Sequence, residues 1–247
     1  MCYGADALPP DHGIAGAVAE EQDLTLTSTD GTKFMAHVAR AAEPNGNGVV
    51  VCPDVRGLHN YYCALTRSFA RAGIDAVAFD YFGRTTTLDE PRDEATFDYR
   101  EHIQQLDWNK VSEDVTASIA ALMEGGRVQR VFTLGFCFGG AMSWRQAAAQ
   151  SALDGAIGFY GVPGRVRDVV SAMESPLLLL LAGDDVATPR EEFEKFEEEL
   201  TGAHVPHRAV MYDGAPHSFF DRSYDQHREA CADAWRQVFA FIESPPG

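Results

Sequence analysis

A cysteine with glycine two residues away on either side stands in Gly135-Phe136-Cys137-Phe138-Gly139-Gly140, directly after the apolar run Val131–Leu134 and ahead of a helix-like stretch. A nucleophile held between a strand and a helix needs a sharp turn. That turn strains its own backbone, and flanking glycines leave room for it. Gly140 and Ala141 let the helix lie close against the strands. The amino end of the helix turns partial positive charge toward the sulfur and favours thiolate. The Phe138 N–H is placed to donate to a developing oxyanion. Together these residues suit attack of a thiolate on a carbonyl carbon. A buried, inert cysteine could carry the same string, so the partners decide.

In this strand–turn–helix arrangement the chain order is nucleophile, acid, histidine. His217 follows the strand-like Arg208–Tyr212 and the turn Tyr212-Asp213-Gly214-Ala215-Pro216. The other histidines, His12, His37, His59, His102, His204, His207 and His227, fall in surface-like or early segments. After the apolar run Leu177–Leu181 stands Gly183-Asp184-Asp185-Val186-Ala187-Thr188-Pro189. Adjacent aspartates at a strand end cannot both face one imidazole, so Asp185 is the first choice and Asp184 the second. The acid would orient the ring and stabilise its protonated form.

The elements that must position these groups alternate between strand-like and helix-like. Residues 1–20 show no usable periodicity and read as a loose arm before a single domain over 21–247. Leu24–Ser28 and Phe34–Ala39 read as a hairpin about Asp30-Gly31. Gly48–Cys52, Asp75–Phe79, Val131–Gly135, Ala156–Tyr160, Leu177–Ala182 and Arg208–Tyr212 read as further strands. Tyr61–Ala72, Val111–Met123, an acidic helix carrying Phe193, Phe196 and Leu200, and a last helix over about 224–242 lie between and after them. Such alternation predicts a mostly parallel sheet covered by helices, with chemistry at the carboxyl ends of the strands. Residues 80–109, polar and aromatic, are too long for a simple connection and read as a lid or pocket wall.

The chain has 247 residues and a formal net charge of −17, which disfavours nucleic acid and anionic membrane surfaces as partners. No apolar run approaches the roughly 20 residues of a membrane span. The start lacks the basic and apolar parts of a signal peptide, so a cytoplasmic setting is expected. Five cysteines, Cys2, Cys52, Cys63, Cys137 and Cys231, are odd in number and widely spaced, which argues against a disulfide framework and a thiolate zinc site. No metal or organic cofactor is expected; monomer and homodimer remain open.

With these residues in view, the chain resembles the dienelactone hydrolase family from about Val49 to the last helix. The family's G-x-C-x-G-G elbow is matched by Gly135–Gly140, its G-x-D-x-x-x-P-like acid segment by Gly183–Pro189, its H-S/G-F segment by His217-Ser218-Phe219, and its G-F/Y-Y-G segment by Gly158–Gly161. The distance to Pro189 selects Asp185. The resemblance implies an α/β-hydrolase fold and hydrolysis of small esters or lactones. It further implies that Asp54, in Pro53-Asp54-Val55-Arg56-Gly57, takes the place of an acidic residue that helps activate the cysteine, with the Val55 N–H as second oxyanion donor. Family members hold a substrate carboxylate with arginines. Arg84 and Arg100 are candidates for one and Arg222 for another, although Asp221 stands where that second arginine would be. Tyr81, Phe82, Tyr99, Phe136 and Phe138 are candidates for pocket walls or core. An esterase or thioesterase of other small acyl groups, a non-catalytic binder of small acids, and a redox sensor built on Cys137 are the rival expectations.

Overall fold

The computed structural model describes residues 7–90, 92, 97–220 and 225–246. The chain divides into two compact units, Ile14–Val131 and Phe132–Gly247, the second also taking in the chain's start up to Gly13.

In the first unit, β1 (Val18–Thr27) pairs antiparallel with β2 (Lys33–Ala41), β2 antiparallel with β4 (Asp75–Phe79), and β4 parallel with β3 (Asn47–Cys52). β1 begins earlier than its apolar pattern suggests. Glu20, Glu21, Gln22 and Asp23 are exposed and pair with β2 in the backbone ladder, with Asp23 Oδ1 also 2.7 Å from His37 Nδ1 of β2, as suits a charged edge strand. Gly48 through Cys52 of β3 and all of β4 are buried, so both read as continuous apolar runs. Asp75 closes the entry to β4 by taking Arg40 and Arg127 in ion pairs at 3.1 and 3.3 Å. α1 (Asn60–Arg71) and α3 (Trp108–Met123) pack on these strands. The expected stripe of α3, Val111, Val115 and Leu122, is buried. The helix starts a turn before that stripe because the Asp107 carboxylate caps it, accepting from the Asn109 and Lys110 N–H groups. The puzzling 80–109 segment holds a short 3-10 turn, Tyr81–Arg84, capped by Asp80, and the short helix α2, Tyr99–Ile103.

In the second unit, β5 (Arg130–Phe136), β6 (Gly155–Phe159), β7 (Leu177–Ala182) and β8 (His207–Tyr212) run parallel in that order. Every residue of β7 is fully buried. α4 (Phe138–Ala149) and α5 (Arg190–Gly202) follow β5 and β7, and α6 (Arg228–Glu243) ends the chain. α5 turns Phe193, Phe196 and Leu200 into the core, and α6 turns Cys231, Trp235, Val238 and Ile242 inward. Within the stretch read as an arm, Pro10 and His12 make contacts: Trp235 Nε1 donates to the Pro10 carbonyl at 2.8 Å, and the His12 ring meets Trp235 edge-on at 5.2 Å. Among the described residues the strands are thus mostly parallel and interleaved with helices, with β2 running against its neighbours β1 and β4. Among the described residues no helix is long and apolar enough to cross a membrane.

Candidate active site

Cys137 sits between β5 and α4 with φ 55° and ψ −115°, a left-handed conformation that is uncommon for a residue with a side chain. Its N–H donates to the Phe159 carbonyl at 3.0 Å, and its carbonyl accepts from Ala141 at 3.2 Å. The surrounding glycines are there for space. A Cβ on Gly135 would lie 1.9 Å from the Gly139 carbonyl oxygen, and one on Gly140 would lie 2.7 Å from the Phe159 oxygen and 3.1 Å from Gly161 Cα. Backbone cannot yield to such contacts, so the elbow admits no side chain at either position. Phe138 opens α4, where a helix amide has no partner one turn back within its own helix.

His217 arrives on the loop after β8, and Asp185 on the loop after β7. The two loops are joined by the Gly183 N–H to the Tyr212 oxygen at 2.9 Å and the Asp184 N–H to the Ala215 oxygen at 3.0 Å. The Asp185 Oδ2 lies 2.6 Å from His217 Nδ1, while its Oδ1 accepts from the Ala187 and Thr188 N–H groups at 2.7 and 3.2 Å. Asp184 is exposed. The geometry therefore separates the two aspartates in favour of Asp185.

The same imidazole is hydrogen-bonded to Cys137. Burial resists charging the ring, but the bonds to Asp185 and to Cys137 outweigh that and lift its pKa from 6.5 to about 10. These bonds favour the charged ring. Burial pushes the Cys63 thiol up to about 11, with the nearby Asp23 charge adding to it, and burial pushes fully enclosed Cys52 up further.

Two supports of this site escaped the sequence reading. Tyr160, fully buried with φ 37°, sets its ring 4.8 Å from that of His217. Trp144 on α4 fills the notch made by Gly158 and Gly161, where a Cβ on either would fall 2.4 Å from the indole. Its Nε1 donates to the Leu178 carbonyl at 3.1 Å. The G-F-Y-G segment was the signal; which aromatic it accommodates was not. Phe136, for which pocket wall and core were both open, is core, stacked on Phe159 at 4.6 Å.

Within the first unit the Asp54 carboxylate is occupied by Arg56. Oδ1 accepts from the Arg56 N–H at 3.0 Å and Nε at 3.3 Å, and Oδ2 accepts from Nη2 at 2.8 Å. The peptide leading to Val55 is pinned from both sides: the Asp54 N–H donates to Tyr62 Oη at 2.8 Å, and Tyr81 Oη donates to the Asp54 carbonyl. Gly57 (φ 74°) ends this turn because a Cβ there would meet Asp80 Oδ1 at 2.5 Å.

Arg84 does not stand ready for a substrate carboxylate. Its Nε and Nη2 hold Asp114 at 2.7 and 2.8 Å and its Nη1 holds Asp30 at 2.9 Å, so its charge is already spent inside the fold. Burial pushes the Asp114 carboxyl above its ordinary value, with the bonds from Arg84 and Ser28 acting against that. Arg100 is exposed on α2 and lies over the half-buried Tyr99 ring at 5.3 Å. Tyr81 and Phe82 are core. Arg222 lies outside the described residues. A cleft of about 400 Å³ in this unit is lined by Leu58, His59, Cys63, Asp80, Leu88 and Arg92, among others. It includes none of Cys137, His217 and Asp185.

A strained cysteine elbow after a parallel strand, with an acid and a histidine on the loops after later strands, defines an α/β-hydrolase fold. Solved structures agree on that fold. A Klebsiella pneumoniae protein described provisionally as a dienelactone hydrolase superposes with a TM-score of 0.77 at 24% identity, covering 91% of this chain and 99% of its own. The dienelactone hydrolase-like promiscuous phosphotriesterase P91 from metagenomic libraries superposes with a TM-score of 0.70 at 22% identity, covering 94% and 100%. The family model for the dienelactone hydrolase family matches residues 34–244 in one stretch that runs through both units, and the chain belongs to that family. A carboxymethylenebutenolidase of Rhodococcus opacus is 27% identical over 98% of this chain and 96% of its own.

Proposed function

We propose that this chain hydrolyses small carboxylic esters or lactones through Cys137, His217 and Asp185 by way of a thioester. The observation that carries the reading is the doubly bonded imidazole: His217 holds Asp185 at 2.6 Å through Nδ1 and is hydrogen-bonded to a cysteine on a strained elbow.

The Cys137 thiolate adds to the carbonyl carbon, and the oxygen takes the negative charge. The Phe138 N–H stabilises it. The tetrahedral adduct collapses, the C–O bond breaks, and the leaving alkoxide takes the proton from His217. The acyl group is then held as a thioester. His217, now neutral, takes a proton from water, whose oxygen attacks the thioester; the acid leaves and the thiolate is restored. In a lactone the alkoxide stays tethered, so the product is an open hydroxy acid. A thiolate is also a good leaving group, so activated esters such as enol lactones suit it better than amides. The carboxymethylenebutenolidase relative supports this substrate class. A cytoplasmic setting, where thiols stay reduced, suits the mechanism.

The test compares initial rates of wild type and Cys137→Ala on p-nitrophenyl acetate and on a dienelactone. Turnover by the wild type and none by the variant supports the reading. Equal turnover by both defeats it.

A further inference from the structure

We propose that Tyr160 is a positioning residue for the second half of the reaction: its ring is the wall that keeps His217 in place once Cys137 carries the acyl group, a role that rests on the ester-hydrolase reading above. The backbone that bears His217 is already fixed. The Asp184 N–H donates to the Ala215 carbonyl at 3.0 Å, the Phe219 N–H donates to the Pro216 carbonyl at 3.1 Å, and buried Ser218 takes a φ of 66°. The freedom that remains is rotation of the ring itself. Among the described residues the ring is held by the 2.6 Å bond from Nδ1 to Asp185, by its bond to Cys137, and by the Tyr160 ring, with centroids 4.8 Å apart and planes tilted by 56°.

Tyr160 is built to stay still. It is fully buried, its N–H donates to the Leu180 carbonyl of β7 at 2.8 Å, and its ring lies against Phe219 and Phe159 at 5.6 and 6.1 Å. Its φ of 37° is uncommon for an aromatic residue, and such a conformation persists only where the surroundings over-determine it. The residue before it, Phe159, accepts the Cys137 N–H at 3.0 Å. The dipeptide at the end of β6 therefore touches the nucleophile's amide, the strand that leads to the acid, and the imidazole.

The two half-reactions lean on this wall unequally. Before acylation the sulfur itself holds the ring. When the ester is p-nitrophenyl acetate, the thiolate adds to the carbonyl and p-nitrophenolate leaves without needing a proton. In the thioester the sulfur is bonded to the acyl carbon and carries no charge, so the charge-assisted part of its bond to the imidazole is gone. The ring then hangs from Asp185, with its side chain 18% exposed and room to swing toward solvent. Deacylation is the step that needs it in place. Water gives one proton to His217 and its hydroxyl to the acyl carbon, the C–S bond breaks, and the sulfur leaves as thiolate. A general base misplaced by about 1 Å can cost on the order of a hundredfold. The Tyr160 ring is a contact that does not depend on the state of the sulfur.

The experiment follows p-nitrophenyl acetate in single turnover and in steady state for wild type, Tyr160→Leu and Tyr160→Phe. Release of p-nitrophenolate reports acylation, and acid-quenched acetyl-enzyme reports deacylation. In Tyr160→Leu the acetyl-enzyme decays about tenfold more slowly or worse, while acylation stays within about threefold. In steady state kcat and KM fall together and kcat/KM barely moves, a split that a general loosening of the fold does not produce. Tyr160→Phe, which keeps the ring, restores the wild-type decay. Tyr160→Met, flexible enough to fill the gap, replaces Tyr160→Leu if that variant does not fold. Equal slowing of both steps, no slowing of either, or failure of Tyr160→Phe to restore the decay overturns the proposal and leaves the hydrolase reading standing. If the wild type forms no acetyl-enzyme on Cys137, the hydrolase reading itself has failed and this role falls with it.

Discussion

Replacing Asp185 with asparagine changes charge while keeping shape. The amide oxygen can still accept from the Ala187 and Thr188 N–H groups, but the atom 2.6 Å from His217 Nδ1 loses its charge. Lifting an imidazole from 6.5 to about 10 corresponds to roughly 5 kcal/mol in favour of the charged ring, carried jointly by Asp185 and Cys137 against burial. If Asp185 carries about half, its loss costs the thiolate–imidazolium pair on the order of 2–3 kcal/mol, or about a hundredfold in its population. An amide NH2 facing Nδ1 also drives the ring proton to Nε2, the nitrogen that has to take a proton from water. Both effects point the same way. The assay is ultraviolet absorbance of the thiolate through a pH titration, together with kcat/KM on p-nitrophenyl acetate. The thiolate signal near neutral pH should collapse and kcat/KM should fall about a hundredfold or more. Values within about threefold of wild type, where a tenfold change is 1.4 kcal/mol, would refute the reasoning. Stability gives a second check. The folded pKa of His217 is raised, so its contribution is complete below 6.5 and is lost as pH rises through about 10. The stability difference between wild type and Asp185→Asn should close over that window.

Arg84→Ala should destabilise the fold by about 3–5 kcal/mol, because Asp114 is left buried with its charge unanswered. Denaturant unfolding measures this, and the ratio of kcat/KM on mono-p-nitrophenyl succinate to that on p-nitrophenyl acetate should not move; a lowered ratio in a stable variant would return Arg84 to the substrate. Gly158→Ala puts a methyl 2.4 Å from the Trp144 indole and should cost about 1–3 kcal/mol in thermal unfolding. Gly164→Ala, with nothing within 4 Å of its added Cβ, is the control and should change little.

The elbow was legible in the sequence because its glycines answer a backbone demand. Gly135 and Gly140 face main-chain atoms, and any sequence that makes this turn must leave them bare. Asp185 and His217 were legible because each follows an apolar strand of recognisable length. Arg84 misled because its partners, Asp114 and Asp30, lie 30 and 54 residues away, and no local pattern announces a pair of that reach. Trp144 was hidden for a related reason: the notch it fills belongs to Gly158 and Gly161 on another element. The polar start of β1 was missed because an edge strand can pair through backbone alone, with no apolar alternation to mark it.

The most direct test of the central claim is a rapid acid quench of the enzyme with p-nitrophenyl acetate, followed by mass spectrometry of the intact chain and its peptides. The mechanism predicts a transient gain of one acetyl group on the peptide that contains Cys137, absent in Cys137→Ala. Turnover with no acetyl on that peptide, or with the same label in the alanine variant, would contradict it.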